Sequence, residues 1–357
     1  MRLRCRSALT RVMSIGMCAA VIALAGACSS GGPSSSGNAS SNTGGSGTLT
    51  NITVATYAVD VGVGMLYIPL QEGFFKKEGL NVTLVPGSAS LTDLIVSGRA
   101  QLGLIGGASA MNVAGEGQDL QIIAQTAIGY TAASIFSSSK VSSISQCRRL
   151  GSLEPGSSSY GAAVLWKKHG NYNYTIVTFD DDALMESALA SGSIDCFTAS
   201  ADGLGPAVQA GVVKELVNSQ TPSVINELGG QTGNAAPDGS LFGLASTLKS
   251  HKSEIVDFLK AMNMGYQWIH THSVAQIAAV LKQNADFKSY SLANLEANAT
   301  IWLKTLPTTN PIGYIAPDTW QHTLNYWANF GLPHINPSSP DLTYAKRVDM
   351  SYLKAAQ

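Results

Sequence analysis

From Leu49 onwards, strand patterns and helix patterns alternate along the chain with short links between them. The first strand pattern is 51–57 (NITVATY), and Met65–Glu78 follows it with the apolar spacing of a helix that ends at Gly79. The alternation then continues through strands and helices at 81–85, 91–96, 101–105 and 107–114. Because parallel strands need crossover connections of this kind, the pattern predicts an α/β fold with parallel strands.

The alternation breaks once, where two strand patterns follow each other at 120–126 and 132–137. A second strand and helix series then extends from 149 to 217, with a return strand predicted at 241–246. Its helices are predicted over 160–168, 182–190 and 204–209. The rest of the chain predicts helices over 253–268, 273–283, 292–303, 317–330 and 340–354. The sequence thus predicts two α/β units and a helical C-terminal part.

The first 48 residues have a different composition. Four arginines precede an apolar run of about 16 residues from Val12 to Ala27, which is shorter than the roughly 20 that span a membrane. These features predict a signal peptide over 1–27, and a retained N-terminal anchor is the alternative. The run ends in Leu24-Ala25-Gly26-Ala27-Cys28, which resembles a bacterial lipobox and implies a lipidated Cys28; plain secretion is the alternative.

Residues 28–48 are predicted to connect the lipidated cysteine to the folded part. Gly or Ser occupies 14 of the 20 positions from Ser29 to Thr48, and such a composition behaves as a flexible tether. The predicted signal peptide takes away four of the chain's 22 basic residues and none of its 23 acidic residues, so the net charge changes from −1 to −5. This acidic balance excludes nucleic acid as a partner.

No sequence motif predicts catalysis or a metal ion. The six histidines are scattered and no H-E-x-x-H occurs, so neither a metal site nor a cofactor is predicted. The turn at Gly156–Gly161 lacks the G-x-S-x-G spacing of a nucleophile elbow. We interpret the run Asp180–Asp182 as helix capping rather than as metal ligands.

Short phrases in the first unit carry a family resemblance. Gly73–Val82 reads GFFKKEGLNV, and Ser97–Gly103 reads SGRAQLG, with Gln101 where an aspartate is usual. A related phrase, SGSID, recurs at Ser191–Asp195. These phrases resemble the nitrate/sulfonate/taurine-type solute-binding proteins of ABC importers, which also include binders of pyrimidine thiamine precursors. The resemblance extends from Asn51 to about Gln357.

The resemblance implies a type II periplasmic-binding-protein-like α/β fold with a cleft between two lobes. Residues 49–133 and 230–357 would form the first lobe with the C-terminal helices, and 134–229 the second. It also implies an extracytoplasmic, lipid-anchored monomer that is not an enzyme. This protein would capture a sulfonate- or nitrate-type anion or a pyrimidine-like heteroaromatic and deliver it to an ABC permease. The alternatives are a thiamine-pyrimidine enzyme on the same fold, whose Cys-rich motif is absent here, and a surface sensor module.

The ligand is expected at the turns that follow the strands. The predicted ligand-binding residues are Tyr57, Asp60, Gly107, Ala108, Ser109, Ser157, Ser158, Ser159, Tyr160 and Asp202. N–H groups at the helix starts near Gly107 and Ser157 would favour an acceptor or an anion. Each position has a structural alternative: the aspartates and serines can cap helices, the glycine can serve helix–sheet packing, and the tyrosines can pack in the core or at the rim.

Two cysteines remain after Cys5, Cys18 and Cys28 are assigned to the signal peptide and the lipid. Cys147 precedes one predicted strand and Cys196 begins another in the same predicted sheet. An oxidising compartment favours a disulfide between them, and two buried free thiols are the alternative.

Overall fold

The computed structural model describes residues 48–129, 133–204, 211–227 and 237–357. The predicted signal peptide, Cys28, the tether up to residue 47 and nearly all of the helix predicted over 204–209 lie outside these ranges. Within the described ranges, no helix has both the length and the apolar character needed to span a membrane.

Ten strands form two five-stranded sheets in the described part of the chain. They are β1 Thr50–Thr56, β2 Leu80–Pro86, β3 Leu102–Gly106, β4 Leu120–Ile128, β5 Ser134–Ser138, β6 Arg149–Ser152, β7 Thr175–Thr178, β8 Cys196–Ala199, β9 Val213–Val217 and β10 Pro237–Leu244. The first sheet has the order β2-β1-β3-β10-β4 and the second has the order β7-β6-β8-β5-β9.

The predicted parallel strands are present in both sheets. β1 pairs in parallel with β2 and β3, and β6 pairs in parallel with β7 and β8. The remaining pairs are antiparallel: β10 lies between β3 and β4, and β5 lies between β8 and β9. Each sheet therefore contains one strand that arrives from the other sheet, which joins the two lobes by two crossings.

The described helices are α1 Gly64–Gln71, α2 Phe74–Lys77, α3 Ser88–Val96, α4 Gly107–Gly115, α5 Ser158–His169, α6 Asp182–Ala190, α7 Pro222–Glu227, α8 Ala245–Ser250, α9 Lys252–Thr271, α10 Val274–Gln283, α11 Leu292–Trp302, α12 Pro317–Ala328, α13 Tyr344–Arg347 and α14 Ser351–Ala355. The helix predicted over Met65–Glu78 is wrong as a single element. Gly73 takes a left-handed conformation with φ 70° between α1 and α2, which ends the first helix.

The single helix predicted over 340–354 is also wrong. This segment forms a short 3-10 turn at Pro340–Leu342 followed by α13 and α14. Val348 is extended and bridges to Ile122 of β4, and the Asp349 N–H donates to the Ile122 carbonyl oxygen at 3.0 Å. Pairing with the edge of the first sheet therefore competes with the helical hydrogen bonds and interrupts the helix.

The C-terminal segment contacts both lobes. The ring of Phe330 lies within 2.4 Å of the position that a Cβ on Gly161 of α5 would take, so only glycine fits there. The His334 N–H donates to Asn112 Oδ1 of α4 at 3.1 Å. The lobe boundaries predicted above therefore omit a packing contact between the C-terminal part and the second lobe.

Candidate functional site

A cavity of about 90 Å³ lies in the cleft, at the carboxyl ends of the parallel strands of both sheets. A larger cavity of about 790 Å³ adjoins it, and both are lined by Tyr57, Asp60, Leu153 and Asp182. We call the smaller one the inner cavity and the larger one the outer cavity. Residues after β1 and β3, together with residues within β4 and β10, line the inner cavity from the first lobe. Residues after β6 and β8 line it from the second.

Asp60 occupies the turn between β1 and α1 and is only 4% exposed. Its Oδ1 accepts hydrogen bonds from the Val63 N–H and from the Tyr57 hydroxyl, each at 3.1 Å. Asp60 is thus the cap of the 3-10 turn Val61–Val63, as one of the sequence alternatives proposed, and it also lines the cavity.

Asp202 approaches Asp60 from the second lobe. A Cβ on Gly62 would lie 2.6 Å from the Tyr57 hydroxyl oxygen, 3.0 Å from Asp202 Oδ2 and 3.1 Å from Asp60 Oδ1. The two carboxylate oxygens, each about 3 Å from the same point, are therefore within about 6 Å of each other. Gly62 leaves this space open, and a larger side chain would fill it.

A third carboxylate, that of Asp182, lies near Asp60 in the cleft. The sequence analysis interpreted Asp182 only as part of a helix-capping run. Asp181 is the residue that caps α6, because its Oδ1 accepts from the Leu184 N–H at 2.8 Å. Asp182 lines both cavities, and its Oδ2 and Asp60 Oδ2 lie 3.7 Å and 3.5 Å from the position of a Cβ on Gly203. Three aspartates from two lobes thus face one another across the cleft.

Burial and mutual repulsion shift the protonation of these aspartates. Burial raises the pKa of Asp60 to about 7, and the negative charge of Asp182 adds to the increase. Burial, followed by repulsion from Asp60, raises the pKa of Asp202 to about 7. Burial, followed by repulsion from Glu186 and Asp181, raises the pKa of Asp182 to about 7. Burial and repulsion therefore disfavour the ionised forms, and the three carboxyl groups carry their full negative charge only above about pH 7.

The predicted serine turn makes contacts within the protein. The Ser158 N–H donates to Ser109 Oγ at 2.9 Å, which joins the start of α5 in the second lobe to α4 in the first. The Tyr160 N–H donates to Ser157 Oγ at 3.0 Å, and Ser159 Oγ donates to the Thr198 carbonyl oxygen at 2.9 Å. Two of the N–H groups that the sequence analysis offered to a ligand are therefore satisfied inside the protein.

The structure brings seven of the ten predicted residues together at the inner cavity. These are Tyr57, Asp60, Ser109, Ser157, Ser158, Ser159 and Asp202. Gly107, Ala108 and Tyr160 are not among its lining residues, and their contact with a ligand stays a prediction. Gly107 and Ala108 are buried in the first turn of α4, and the Tyr160 N–H belongs to the helical cap of α5.

Sequence reasoning missed Thr126, Glu154, Ser200 and Asp238, which also line the cavity. Ser200 and Glu154 follow strands, and attention to every strand end would have found them. Asp238 and Thr126 lie on β10 and β4, and they reach the cavity only because β10 inserts antiparallel beside β4.

Cys147 and Cys196 are joined by a disulfide, with their Cα atoms 5.8 Å apart, and the bond ties the segment before β6 to the start of β8. In the described ranges, no group of three or more His, Cys, Asp or Glu side chains has an arrangement that could hold a metal ion.

Solved structures share this architecture over most of the chain. A protein of Bordetella bronchiseptica RB50 superposes with a TM-score of 0.73 at 19% identity, covering 86% of this chain and 96% of that protein. The ligand-binding component of an ABC-type import system from Staphylococcus aureus, solved with zinc bound, gives a TM-score of 0.66 at 15% identity over 86% and 99% of the two chains.

The alkanesulfonate-binding protein SsuA from Xanthomonas axonopodis pv. citri, solved with MOPS bound, gives a TM-score of 0.63 at 14% identity over 85% and 99%. These similarities confirm the predicted two-lobed periplasmic-binding-protein fold. No curated protein sequence matches the chain. The sequence profile described as NMT1/THI5 like matches residues 62–275, which is more than half of the chain, and the chain therefore belongs to the NMT1/THI5-like family.

Proposed function

We propose that this protein is the solute-binding protein of an ABC importer, which captures a small organic molecule between its lobes and delivers it to a membrane permease. The observation that carries the proposal is the cavity at the strand ends, because residues of both lobes line it. A ligand in this position would contact both lobes at once. Its contacts would therefore stabilise the closed arrangement that hinge motion of the lobes produces.

Charge in the cleft distinguishes the two ligand classes that the family resemblance implies. Among the described residues that line the inner and outer cavities, none is Lys, Arg or His. A sulfonate or nitrate ion would meet no cationic side chain there and would lie beside the carboxylates of Asp60 and Asp202. A pyrimidine-like heteroaromatic with amino groups can donate to these acceptors, so the cavity favours this class.

Ligand-induced closure tests the function directly. The purified chain without its signal peptide is screened against anions, sulfonates, pyrimidines and amines by melting temperature, and positive compounds are examined by small-angle X-ray scattering. A true ligand raises the melting temperature and reduces the radius of gyration. The variant Gly62→Val fills the space between Tyr57, Asp60 and Asp202 and should lose both responses while keeping its circular dichroism spectrum.

The proposal includes a lipid anchor at Cys28 and an extracytoplasmic location as a monomer. The lipobox-like segment and the tether rich in Gly and Ser support it. In a bacterial host, the wild-type chain should fractionate with membranes and carry the mass of acyl chains on its N-terminal peptide. The variant Cys28→Ser should lose that mass and leave the membrane fraction; an unmodified, fully secreted wild-type chain would refute the anchor.

No observation favours the enzyme or the sensor alternative. The described residues that line the cavity include neither the cysteine cluster nor the histidine that the enzyme alternative requires.

A further inference from the structure

The charged side chains that line the two cavities of the cleft are all acidic. Five acidic side chains line the inner cavity and six line the outer one, with Asp60 and Asp182 shared by both. The described lining of the two cavities contains no basic residue. Like charges that face each other across a cleft oppose its closure unless a counter-charge lies between them.

Two of these carboxylates come from opposite lobes and face one space. The oxygens of Asp60 and Asp202 that surround the Cβ position of Gly62 lie within about 6 Å of each other. A cationic nitrogen forms hydrogen bonds of about 2.7–2.9 Å to carboxylate oxygens, so one nitrogen between two such oxygens spans up to about 5.8 Å. The Tyr57 hydroxyl oxygen lies at the same space and supplies a further polar contact.

A second, independent observation points to a ligand at this place. Asp202 is only 4% exposed, and its Oδ1 is buried without any hydrogen-bond partner in the protein. Buried carboxylate oxygens are nearly always paired, and an unpaired one in a cavity wall is an acceptor available to a bound molecule. Asp202 lines the inner cavity, and its other oxygen, Oδ2, is the one that faces the Cβ position of Gly62, so the incompletely paired carboxyl group belongs to the same site.

We infer that the ligand of this protein is an organic cation, with a protonated amine, amidine or aminopyrimidine nitrogen held between Asp60 of the first lobe and Asp202 of the second. This inference rests on the proposed solute-binding function and adds the charge of the ligand to it. The cation offsets the repulsion between the two lobes, so ligand binding and closure of the cleft are coupled through the same two carboxylates.

An organic cation fits the site better than a metal ion. The described residues contain no cluster of three or more acidic, His or Cys side chains placed to hold a metal. The inner cavity of about 90 Å³ also exceeds the space of a single ion, and it shares four lining residues with the outer cavity of about 790 Å³. Such a volume accommodates a cationic head group with a larger body behind it.

Matched probes that differ only in charge test the inference. Benzamidine, benzamide and benzoate form one set, and propylamine, propanol and propanesulfonate form another. Titration calorimetry and melting temperature at pH 8 are measured with each compound in the presence of EDTA. The cationic member of at least one set should bind at least about tenfold more tightly than its neutral analogue, and the anionic members should not bind.

Neutral isosteres of the two aspartates test the assignment of the residues. Asp202→Asn and Asp60→Asn should each weaken binding of the cationic probe at least about tenfold and leave binding of its neutral analogue nearly unchanged. Asp341→Asn is the matched control, because it removes the same charge from a side chain that is 59% exposed and outside both cavity linings. A structural effect alone would weaken cationic and neutral probes equally, which would overturn the assignment.

The outcomes separate the inference from the function beneath it. An anionic or neutral probe that binds and compacts the protein more strongly than its cationic analogue overturns the inference and leaves the solute-binding function intact. A melting-temperature increase with Ca²⁺ or Zn²⁺ that EDTA removes, without a response to organic cations, also overturns it. Absence of any response across all three charges, in the probe sets and in the wider screen, contradicts the solute-binding function itself.

Discussion

The two lobes share one strand arrangement but differ in how they are stabilised. In each sheet, three parallel strands lie beside an antiparallel fourth strand that enters from the other lobe, β10 in the first and β5 in the second. The first lobe packs against long helices and buries Trp302 and Trp320 almost completely. One face of the second lobe packs a small separate apolar cluster around Phe136, whereas Cys147 and Cys196, which form the disulfide, pack with the large apolar cluster of the protein.

Both lobes thus contribute to the large core, but the second lobe adds a small separate cluster and a covalent link to it. A small core excludes less apolar surface from water, so a cross-link that restricts the unfolded chain contributes relatively more there. The second lobe also supplies Asp182 and Asp202 to the cleft, and burial of these carboxylates reduces its stability. The following experiments test each side of the comparison.

The largest effect is expected from Trp302→Ala in the first lobe. Trp302 is fully buried, and its removal should lower the free energy of unfolding by about 3–5 kcal/mol in a denaturant titration. Leu292→Ala lies on the same helix, α11, with its side chain 49% exposed, and should change stability by less than about 1 kcal/mol. Equal effects of the two substitutions would contradict the role of the helical core.

The second lobe should depend on its disulfide. The double variant Cys147→Ala/Cys196→Ala removes a cross-link between residues 49 positions apart and should lower the free energy of unfolding by about 2–4 kcal/mol. Hydrogen exchange should become faster in β6 and β8 and stay unchanged in β1. Wild-type protein in reductant is the control and should match the variant. Uniformly faster exchange in both sheets would show that the lobes do not have separate sources of stability.

The cleft carboxylates should make the ligand-free protein less stable as pH rises. Asp60, Asp182 and Asp202 have pKa values raised to about 7, whereas unfolded aspartates titrate near 4. Between these values the native state binds more protons than the unfolded state, so the stability from these groups falls from about pH 4 to pH 7. The charges of Glu154, Asp181, Glu186 and Asp238 oppose ionisation, whereas hydrogen bonds from the Tyr57 hydroxyl and the Val63 N–H favour the ionised form of Asp60.

Asp202→Asn should remove part of this pH dependence. At pH 8 the variant should be more stable than the wild type by on the order of 2 kcal/mol, and at pH 5 the two should differ little. Denaturant titrations from pH 5 to pH 8 measure the difference. The exposed Asp341→Asn control should keep the wild-type slope, and a wild-type slope in Asp202→Asn as well would argue against a buried, repelled carboxylate.

The smallest effect is expected from the contact that joins the two lobes. Ser109→Ala removes the acceptor of the Ser158 N–H and should weaken ligand affinity by about three- to tenfold, equivalent to about 1 kcal/mol. Ser250→Ala is the control, because it removes an exposed hydroxyl that donates to the Thr247 carbonyl oxygen within α8. This variant should bind ligand normally. Unchanged affinity in Ser109→Ala would mean that this contact does not contribute to closure.

Local sequence determined the elements and much of the site. The alternation of apolar patterns predicted β1 to β5 within two residues. Turn residues such as Asp60 and Ser157 were assigned to the cleft because parallel sheets bind ligands at their strand ends. The predicted helix over 182–190 coincides with α6, since Asp181 provides a side-chain cap at its start. These features depend on interactions within a few residues of one another.

Only the tertiary structure showed how many acidic side chains meet at the cavity and which residues complete its lining. Asp182 and Asp238 are distant in sequence from Asp60, and their approach follows from the strand crossings, which no local pattern encodes. Pairing of Val348 with Ile122 interrupted a helix that local spacing favoured, because a sheet edge offered the backbone another partner. The sequence by itself thus predicted two α/β units and most of the turns that line the cavity, whereas the position of each carboxylate opposite another required long-range packing.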